Sequence, residues 1–345
     1  MISHNKNLCV SIIIPSIKYN KLLEKCVNEL LSQTINKEII IVADENLSSF
    51  FSSKKNVRCF ILAKATMSAK RNLAVKMAKF DYLAFIDSDA YPHKLWLING
   101  IRILKTNNNI GIVGGPDISQ PDQTYWENIS GIASKSYLIR GNTNFVKKIS
   151  KSREVEMQQT CNMIISKKDF LSINGFDENI YVAEDLYFCK KIINNLNKKI
   201  FFSNRVIVFH RDRNFLGFII QRLTRGIANI DIFKLMLKEF KLNKKISAFR
   251  MELFIPILFL FFIFSFPIIL IVDLYKYIYF FVILIYFIII FFESIRLSIS
   301  KKDVFPVALT ITIGTLAPAF GFVLSIIKVF SNNRILKFYK NKNDI

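Results

Sequence analysis

The segment Tyr82-Leu-Ala-Phe-Ile-Asp-Ser-Asp89 contains the pattern that is most informative about the fold. Residues 82–86 form a short apolar run with the length of a buried strand. Two carboxylates, Asp87 and Asp89, follow this run directly and are separated by one residue. The segment therefore predicts a strand whose carboxyl end opens into an acidic crevice, the place where open α/β sheets bind ligands.

The sequence before this segment alternates between strand-like and helix-like patterns. Short, β-branched apolar runs occupy residues 9–14, 38–43 and 58–62, and apolar residues at helical spacing occupy 21–33 and 68–79. This alternation predicts an α/β sheet in which right-handed crossovers join parallel strands.

Polar and acidic residues follow three of the four predicted strands. In chain order they are Pro15 and Ser16, then Asp44, then Asp87, Ser88 and Asp89. Because the carboxyl ends of parallel strands meet at one edge of a sheet, we expect these residues to line a single crevice.

The paired carboxylates of Asp87 and Asp89 indicate a metal site. Bare carboxylates would repel a nucleotide diphosphate, whereas a hard divalent cation, Mn²⁺ or Mg²⁺, binds oxygens from both. Such a cation would also stabilise negative charge on a departing diphosphate. The alternative interpretation is an acidic turn that caps a following helix.

Four segments in order resemble the nucleotide-binding half of the family 2 glycosyltransferases: 10–20, Asp44, Ser68-Ala-Lys-Arg-Asn72 and Phe85-Ile-Asp-Ser-Asp89. The resemblance implies a GT-A fold, which is a Rossmann-like α/β domain of nucleotide-diphospho-sugar transferases. It also implies a nucleotide-sugar site made of Pro15, Ser16, Asp44, Lys70, Arg71, Asp87 and Ser88. The family's pair of acids after the second strand is Ala43-Asp44 here, so only the acid expected to contact the base remains.

The resemblance gives Arg71 a place near the nucleotide or its diphosphate. A guanidinium suits phosphate because it can donate two parallel hydrogen bonds. The alternative interpretation of Arg71 is an ordinary solvated helix residue.

The resemblance continues through Gly111-Ile-Val-Gly-Gly-Pro116, Gly175-Phe-Asp-Glu178 and Ala183-Glu184-Asp185-Leu186, and covers roughly residues 8–230. It implies that Asp185 is the general base that takes a proton from the acceptor hydroxyl, with inversion at the anomeric carbon. Gly175, Phe176 and Glu184 are expected on the acceptor side. Acids in the first turn of a helix can instead simply complement its dipole.

His210 is a further candidate metal ligand beside Asp87 and Asp89. It follows an apolar run at 206–209, and some GT-A enzymes use a histidine at a comparable place; a structural histidine is the alternative. The nearby segment Gln221-Arg-Leu-Thr-Arg-Gly226 is similar to the Gln-x-x-Arg-Trp motif of processive synthases. Its spacing differs and it lacks the tryptophan, so it does not indicate processivity.

The C-terminal third contains three hydrophobic stretches. Residues 253–272 and 304–327 hold no charged residue, and 274–292 hold only Lys276. Roughly 20 such residues suffice for a helix to cross a bilayer, so we expect an α-helical transmembrane region over 251–330. Core helices of a soluble protein are the alternative. The third stretch contains Gly314, Pro318 and Gly321. With these residues it could form either a full span or a re-entrant hairpin.

We therefore expect four regions: a GT-A domain over 1–230, a basic amphipathic interfacial segment over 231–250, the transmembrane region, and a basic tail over 331–345. The net charge of +22 includes several lysines just before the first stretch, which favour a cytoplasmic, anionic membrane face over nucleic acid. The five cysteines show no disulfide or zinc spacing, and the N-terminal apolar run is too short for a signal peptide. The predicted location is the cell (plasma) membrane, with the catalytic domain in the cytoplasm.

The resulting hypothesis is a metal-dependent glycosyltransferase that moves a sugar from a nucleotide-sugar donor to a lipid-linked glycan or cell-surface polysaccharide. A polyprenyl-phosphate sugar synthase is an alternative with the same chemistry and a different acceptor. A catalytically silent membrane scaffold that binds nucleotide sugars is an alternative of another class. The expected partners are the donor, the acceptor and membrane lipids, with no nucleic acid.

Overall fold

The computed structural model describes residues 8–180, 183–241 and 255–330. These residues fall into two compact units. The first unit contains residues 8–120 and 145–211, and the second contains 121–144 and the described residues from 212 onward.

The first unit is built on an eight-stranded sheet with the order β3-β2-β1-β4-β9-β6-β10-β8. Its strands are β1 Cys9–Pro15, β2 Asn36–Ala43, β3 Val57–Ile61, β4 Tyr82–Phe85, β6 Ile110–Gly114, β8 Arg153–Val155, β9 Met163–Ser166 and β10 Lys199–Phe202. Strands β1 to β4 pair in parallel, and β9 is antiparallel to both β4 and β6. A smaller sheet has the order β5-β11-β7, with β5 Ala90–Pro92, β7 Asp117–Ser119 and β11 Val208–His210.

Helices of the first unit cover both faces of the large sheet. They are α1 Lys21–Leu31, α2 Met67–Met77, α3 Trp96–Thr106, α6 Lys167–Ser172 and α7 Glu184–Leu196. Alternate residues of β1 point to opposite faces. Ile12 packs in the cluster that contains α1 and α3, whereas Ile13 packs in the cluster that contains α2, α6 and α7. The predicted alternation of strands and helices over the first four strands is confirmed.

The second unit is helical. It contains α4 Tyr125–Ala133, α5 Tyr137–Arg140, α8 Phe215–Lys241, α9 Ile255–Phe264, α10 Asp273–Leu297 and α11 Val304–Phe330. Helices α8 and α11 approach closely at two glycines: a Cβ on Gly226 would lie 2.0 Å from the Pro318 carbonyl oxygen, and one on Gly321 would lie 2.1 Å from that of Leu223. Side chains of α4, α5, α8, α10 and α11 share one buried cluster.

The described part of the chain contains two helices that are long and apolar enough to cross a membrane, Asp273–Leu297 and Lys301–Ile326. The stretch 253–272 contains the ten-residue helix α9, followed by a 3₁₀ turn over Phe266–Leu270, so the helix described there is shorter than a span requires. Helix α11 continues through Gly314, Pro318 and Gly321 without a reversal. Residues 242–254 and the predicted tail lie outside the described residues.

Candidate active site

Sheet register brings the predicted site residues of the first unit to one edge. Pro15, the last residue of β1, pairs with Val42, and the amide of Asp44 donates to the Ile17 carbonyl. Ile13 pairs with Phe85 of β4 two residues before Asp87. The ends of three neighbouring strands therefore open together, as the sequence predicts.

Lys70 joins the ends of β1 and β2. Its side chain is 1% exposed, and its ammonium donates to the Ser16 carbonyl at 2.6 Å and lies 2.8 Å from the Asp44 carboxylate. The same carboxylate accepts the amide of Lys64 at 3.0 Å. Lys70 thus neutralises Asp44 and holds the loop after β1. Its charge therefore stabilises the loops at the ends of β1 and β2.

Arg71 joins two carboxylates that are far apart in the sequence. One nitrogen donates to Asp87 at 3.1 Å and another donates to Glu184 at 3.0 Å, and Arg71 itself is 3% exposed. Burial alone would lower the pKa of Arg71, but the two carboxylates offset this and raise it above its usual value. The alternative interpretation of Arg71 as a solvated helix residue is therefore wrong, and Arg71 joins the loop after β4 to the start of α7.

Asp87, Asp89 and His210 form the cluster predicted as a metal site. The His210 imidazole lies 3.2 Å from the Asp89 carboxylate and 3.9 Å from the second oxygen of Asp87, whose first oxygen faces Arg71. Pairing of β11 with β5 causes this proximity, because His210 lies opposite Ala90, the residue after Asp89. Burial lowers the pKa of His210, whereas the charge and hydrogen bond of Asp89 together with the charge of Asp117 raise it, and the net shift is upward.

The donor set of this cluster fits a hard divalent cation. One ligand atom from each of the three residues can be chosen so that all lie within 4.8 Å of one another. Two carboxylates and an imidazole suit Mn²⁺ well, and Mg²⁺ would be held by the carboxylates with phosphate oxygens and water. Asp87 and Asp89 also precede the short strand β5, so they do not cap a following helix. Ser88 lies between them and is half-buried.

Asn72 fixes the turn that contains Gly175 and Phe176. Its side-chain oxygen accepts the Phe176 amide at 3.0 Å, and its nitrogen donates to the Phe176 carbonyl at 2.9 Å. Gly175 has a φ of +61°, and a Cβ there would lie 2.7 Å from the Asn72 side-chain oxygen. Phe176 is 3% exposed and packs its ring on Phe188 at 4.2 Å, so this side chain belongs to the core.

Glu184 and Asp185 begin α7, as the sequence predicts. Glu184 accepts from Arg71, and one oxygen of Asp185 accepts the Leu186 amide at 2.8 Å. The preceding residue, Ala183, has a left-handed φ of 64°, which turns the chain sharply into the helix. The two acids thus have different partners, which agrees with the divergence of adjacent residues on a helix.

Two features of the site have no signal in the amino-acid sequence. Arg71 has no local signal for its two carboxylate partners, since Glu184 lies 113 residues away. A buried ion pair joins Lys147 and Asp117 at 3.2 Å, with side chains 3% and 5% exposed. Both depend on contacts between distant segments, which residue spacing alone does not reveal.

Comparison with known proteins supports the resemblance. Residues 11–173 match the family model described as Glycosyl transferase family 2. Glycosyltransferase AglE of Haloferax volcanii is 24% identical over 238 residues, which cover 66% of this chain and 74% of AglE. The match to the family ends before Glu184, Asp185 and His210.

Other relatives match over shorter parts of their length. The chondroitin synthase of Pasteurella multocida is 30% identical over 121 residues, or 32% of this chain and 12% of that protein. The poly(ribitol-phosphate) beta-glucosyltransferase of Bacillus spizizenii is 31% identical over 112 residues, which cover 29% of this chain and 18% of that protein. The crystal structure of S. aureus TarS 1–349 with UDP has 16% identity and a TM-score of 0.45, covering 64% of this chain and 65% of that one.

Proposed function

We propose that this chain, a glycosyltransferase with a family 2 domain over residues 11–173, transfers a sugar from a nucleotide-sugar donor to a membrane-associated glycan acceptor. The observation that carries the proposal is the meeting of Asp44, Asp87, Asp89 and His210 at the ends of three adjacent strands and β11. Relatives that match include enzymes named for chondroitin and poly(ribitol-phosphate) glycosylation, which supports a glycan acceptor.

The donor nucleotide is proposed to bind at the edge formed by Pro15, Ser16 and Asp44. Asp44 is held by Lys70 yet keeps 28% of its side chain exposed, so it can still accept a hydrogen bond from a base. Asp87, Asp89 and His210 would hold a divalent cation, which supplies charge neutralisation for the diphosphate when it is bound. Arg71 keeps Asp87 in place through a partly buried ion pair and is proposed to act on the diphosphate indirectly.

Asp185 is proposed as the general base. It sits at the first turn of α7, next to Glu184, which Arg71 fixes. Removal of a proton from the acceptor hydroxyl by Asp185 would accompany attack of that oxygen on the anomeric carbon. The nucleoside diphosphate would leave from the opposite side, so the product would have inverted configuration.

The acceptor is proposed to be lipid-linked. Two helices of the second unit have the length and composition of membrane spans, and each carries apolar side chains that are more than 60% exposed, such as Phe281 of α10 and Phe305 of α11. Exposed apolar helices of this length match the hydrocarbon of a bilayer. An enzyme anchored by such helices has direct access to glycans assembled on membrane lipids.

The test is sugar transfer by membranes that contain the full chain. Labelled UDP-, GDP- and dTDP-sugars are supplied with Mn²⁺ or Mg²⁺, and label is followed into lipid-extractable and water-soluble products. Asp185→Asn is expected to lower turnover by roughly 10²–10⁴-fold. Glu156→Gln changes an exposed carboxylate of the same unit and is the matched control.

Label in a lipid product with inverted anomeric configuration supports the proposal. Label attached directly to a polyprenyl phosphate would identify the synthase alternative instead. Nucleotide binding without turnover of any donor in native lipid would contradict catalysis and favour a scaffold.

A further inference from the structure

Gln120 directly follows the short strand β7 and is buried in the first unit, with 2% of its surface exposed. Its side-chain nitrogen donates to the Asp89 carbonyl at 2.9 Å and to the Phe209 carbonyl at 3.4 Å. Asp89 is a candidate metal ligand, and Phe209 directly precedes His210, which is another. One amide group therefore bonds the backbone of two segments that carry candidate ligands.

The orientation of the Gln120 amide is fixed by its partners. Both are carbonyl oxygens, which only accept hydrogen bonds, so the nitrogen and not the oxygen of the amide must face them. The side-chain oxygen of Gln120 is buried and has no hydrogen-bond partner among the residues that the structure describes. Within the described part of the chain, the hydrogen bonds of this side chain thus all go to the two ligand-bearing segments.

The backbone at Gln120 is itself held firmly against the strand that carries His210. Strand β7 pairs in parallel with β11, which places Ser119 opposite His210. At the start of β7, the buried ion pair between Asp117 and Lys147 fixes the first residue of the strand. Gln120 is therefore anchored by strand pairing and by a charge pair, and its side chain can transmit this fixed position to its partners.

Asp89 lies in the turn between β4 and β5, and its backbone carbonyl joins this turn to two other segments. The carbonyl accepts from Gln120 and from the Arg211 amide at 3.2 Å, whereas the Asp89 carboxylate is 39% exposed. The backbone of Asp89 is thus held while its carboxylate faces the crevice. Contacts that orient the ligands of a metal contribute to its affinity, even where they do not touch the metal.

We propose that Gln120 is a positioning residue for the candidate cation site. Its amide holds the turn at Asp89 and the segment of His210 in the relative position in which both can bind one divalent cation. Gln120 acts through these two residues, because its nitrogen is committed to their backbone. This assignment deepens the proposed function and rests on its divalent cation.

The test measures Mn²⁺ binding to the full-length protein in nanodiscs of neutral lipid, whose headgroups compete little for the metal. Electron paramagnetic resonance follows free Mn²⁺ during titration of the metal alone and in the presence of UDP, GDP or dTDP. The variant is Gln120→Met, which has a side chain of similar length without a donor. Gln33→Met is the matched control, since Gln33 is 5% exposed and donates to the carbonyl of His93 at 3.1 Å, outside the candidate cation site.

Gln120→Met is expected to weaken Mn²⁺ binding about tenfold, the size of loss that follows removal of a partner that orients a metal ligand. Gln33→Met is expected to bind Mn²⁺ like the wild type. Binding of the nucleoside diphosphate without Mn²⁺ should be the same in both variants, and thermal unfolding compares their stability. Wild-type Mn²⁺ affinity in Gln120→Met would overturn the assignment.

Hydrogen exchange without Mn²⁺ gives a second readout that does not depend on the metal. The Arg211 amide, which bonds the Asp89 carbonyl, is expected to exchange faster in Gln120→Met and at the wild-type rate in Gln33→Met. An unchanged exchange rate at Arg211 in Gln120→Met would also overturn the positioning role.

The two readouts separate this inference from the proposed function. Failure of the wild type to bind Mn²⁺ with any of the three nucleotides would contradict the cation of the proposed function. Mn²⁺ binding by the wild type that Gln120→Met retains in full would defeat only the role of Gln120.

Discussion

Arg71 is the residue on which the geometry of the site depends most. It is buried between Asp87 and Glu184, whose side chains are 33% and 20% exposed. Through this pair of contacts the loop after β4 and the start of α7 become one structural element. Its role is to position the acids rather than to lie freely in the crevice.

Arg71→Met is predicted to lower the free energy of unfolding by about 2 kcal/mol, because it leaves two partly buried carboxylates without their cation. Adding Glu184→Gln to this variant is predicted to recover part of the loss, since one of the two charges is removed. Chemical denaturation of the wild type, the two single variants and the double variant completes a double-mutant cycle. Purely additive losses would show that Arg71 and Glu184 do not interact.

Glu38 predicts a pH dependence of stability. Burial raises the pKa of this carboxyl, but hydrogen bonds from Ser11, the Lys79 amide and Arg58 lower it by more, so the net pKa lies below its ordinary value of 4.5. A depressed folded-state pKa contributes stability above 4.5, and this contribution disappears as pH falls through the folded-state value.

Glu38→Gln is accordingly predicted to lower the melting temperature at pH 7 and to differ progressively less from wild type as the pH falls below 4.5. Melting temperatures across pH 3–7 provide the measurement, with Glu156→Gln as the exposed control. A constant difference at every pH would exclude the ionised carboxylate as the source of the stability.

At the scale of elements, the pairing of α8 and α11 depends on a proline and two glycines. Pro318 removes a backbone donor inside α11, and Arg222 of α8 supplies a replacement to Gly314. Gly226 and Gly321 leave room for the two backbones to approach. The two helices thus pack closely because Gly226 and Gly321 lack side chains and because Arg222 replaces the donor that Pro318 lacks.

Arg222→Met is predicted to cost about 1–3 kcal/mol because it leaves the Gly314 carbonyl unsatisfied. In a Pro318→Ala background the new backbone N–H can bond that carbonyl, so the same substitution should cost less. Thermal unfolding in nanodiscs measures both. An equal cost in the two backgrounds would mean that the Gly314 contact does not contribute.

Gly226→Ala is predicted to destabilise the second unit, because its Cβ would lie 2.0 Å from the Pro318 carbonyl oxygen. Gly217→Ala on the same helix is the control, since its nearest neighbour is the flexible side chain of Asn214 at 3.0 Å. A loss of several degrees in melting temperature is expected for Gly226→Ala alone. Similar melting temperatures for both variants would show that close packing at Gly226 is unimportant.

The sequence predicts elements well where local pattern decides them. The strands ending at Pro15, Ala43 and Phe85 are close to their predicted positions because each is a buried apolar run followed by a polar turn. The stretch 253–272 shows the limit. Hydropathy alone does not reveal that α9 ends at Phe264 and that Pro267 lies in a separate 3₁₀ turn.

In the candidate site, too, some residues can be predicted from the sequence and some contacts cannot. Asp87, Asp89 and Asp44 can be found because they follow predicted strands, and His210 because it follows the apolar run at 206–209. The ion pairs of Arg71 and Lys147 cannot, since they join residues that only the folded sheet brings together. Local sequence thus identifies the chemical groups, and the tertiary register determines their partners.

At the scale of the whole molecule, the composition of the two units matches two different tasks. The first unit has a mixed α/β sheet with acids at one edge, and the second has two apolar helices long enough to cross a membrane. A transferase that uses a soluble charged donor and an acceptor held in a membrane needs both kinds of surface. We infer that the acidic edge binds the donor together with a divalent cation.

Calorimetric titration of nucleoside diphosphates into the purified full-length protein, with and without Mn²⁺, measures this binding. Wild-type protein is predicted to bind one of UDP, GDP or dTDP at least tenfold more tightly with Mn²⁺, and Asp89→Asn is predicted to lose that gain while Glu156→Gln keeps it. Nucleotide binding that is unaffected by Mn²⁺ and by Asp89→Asn would contradict the claim.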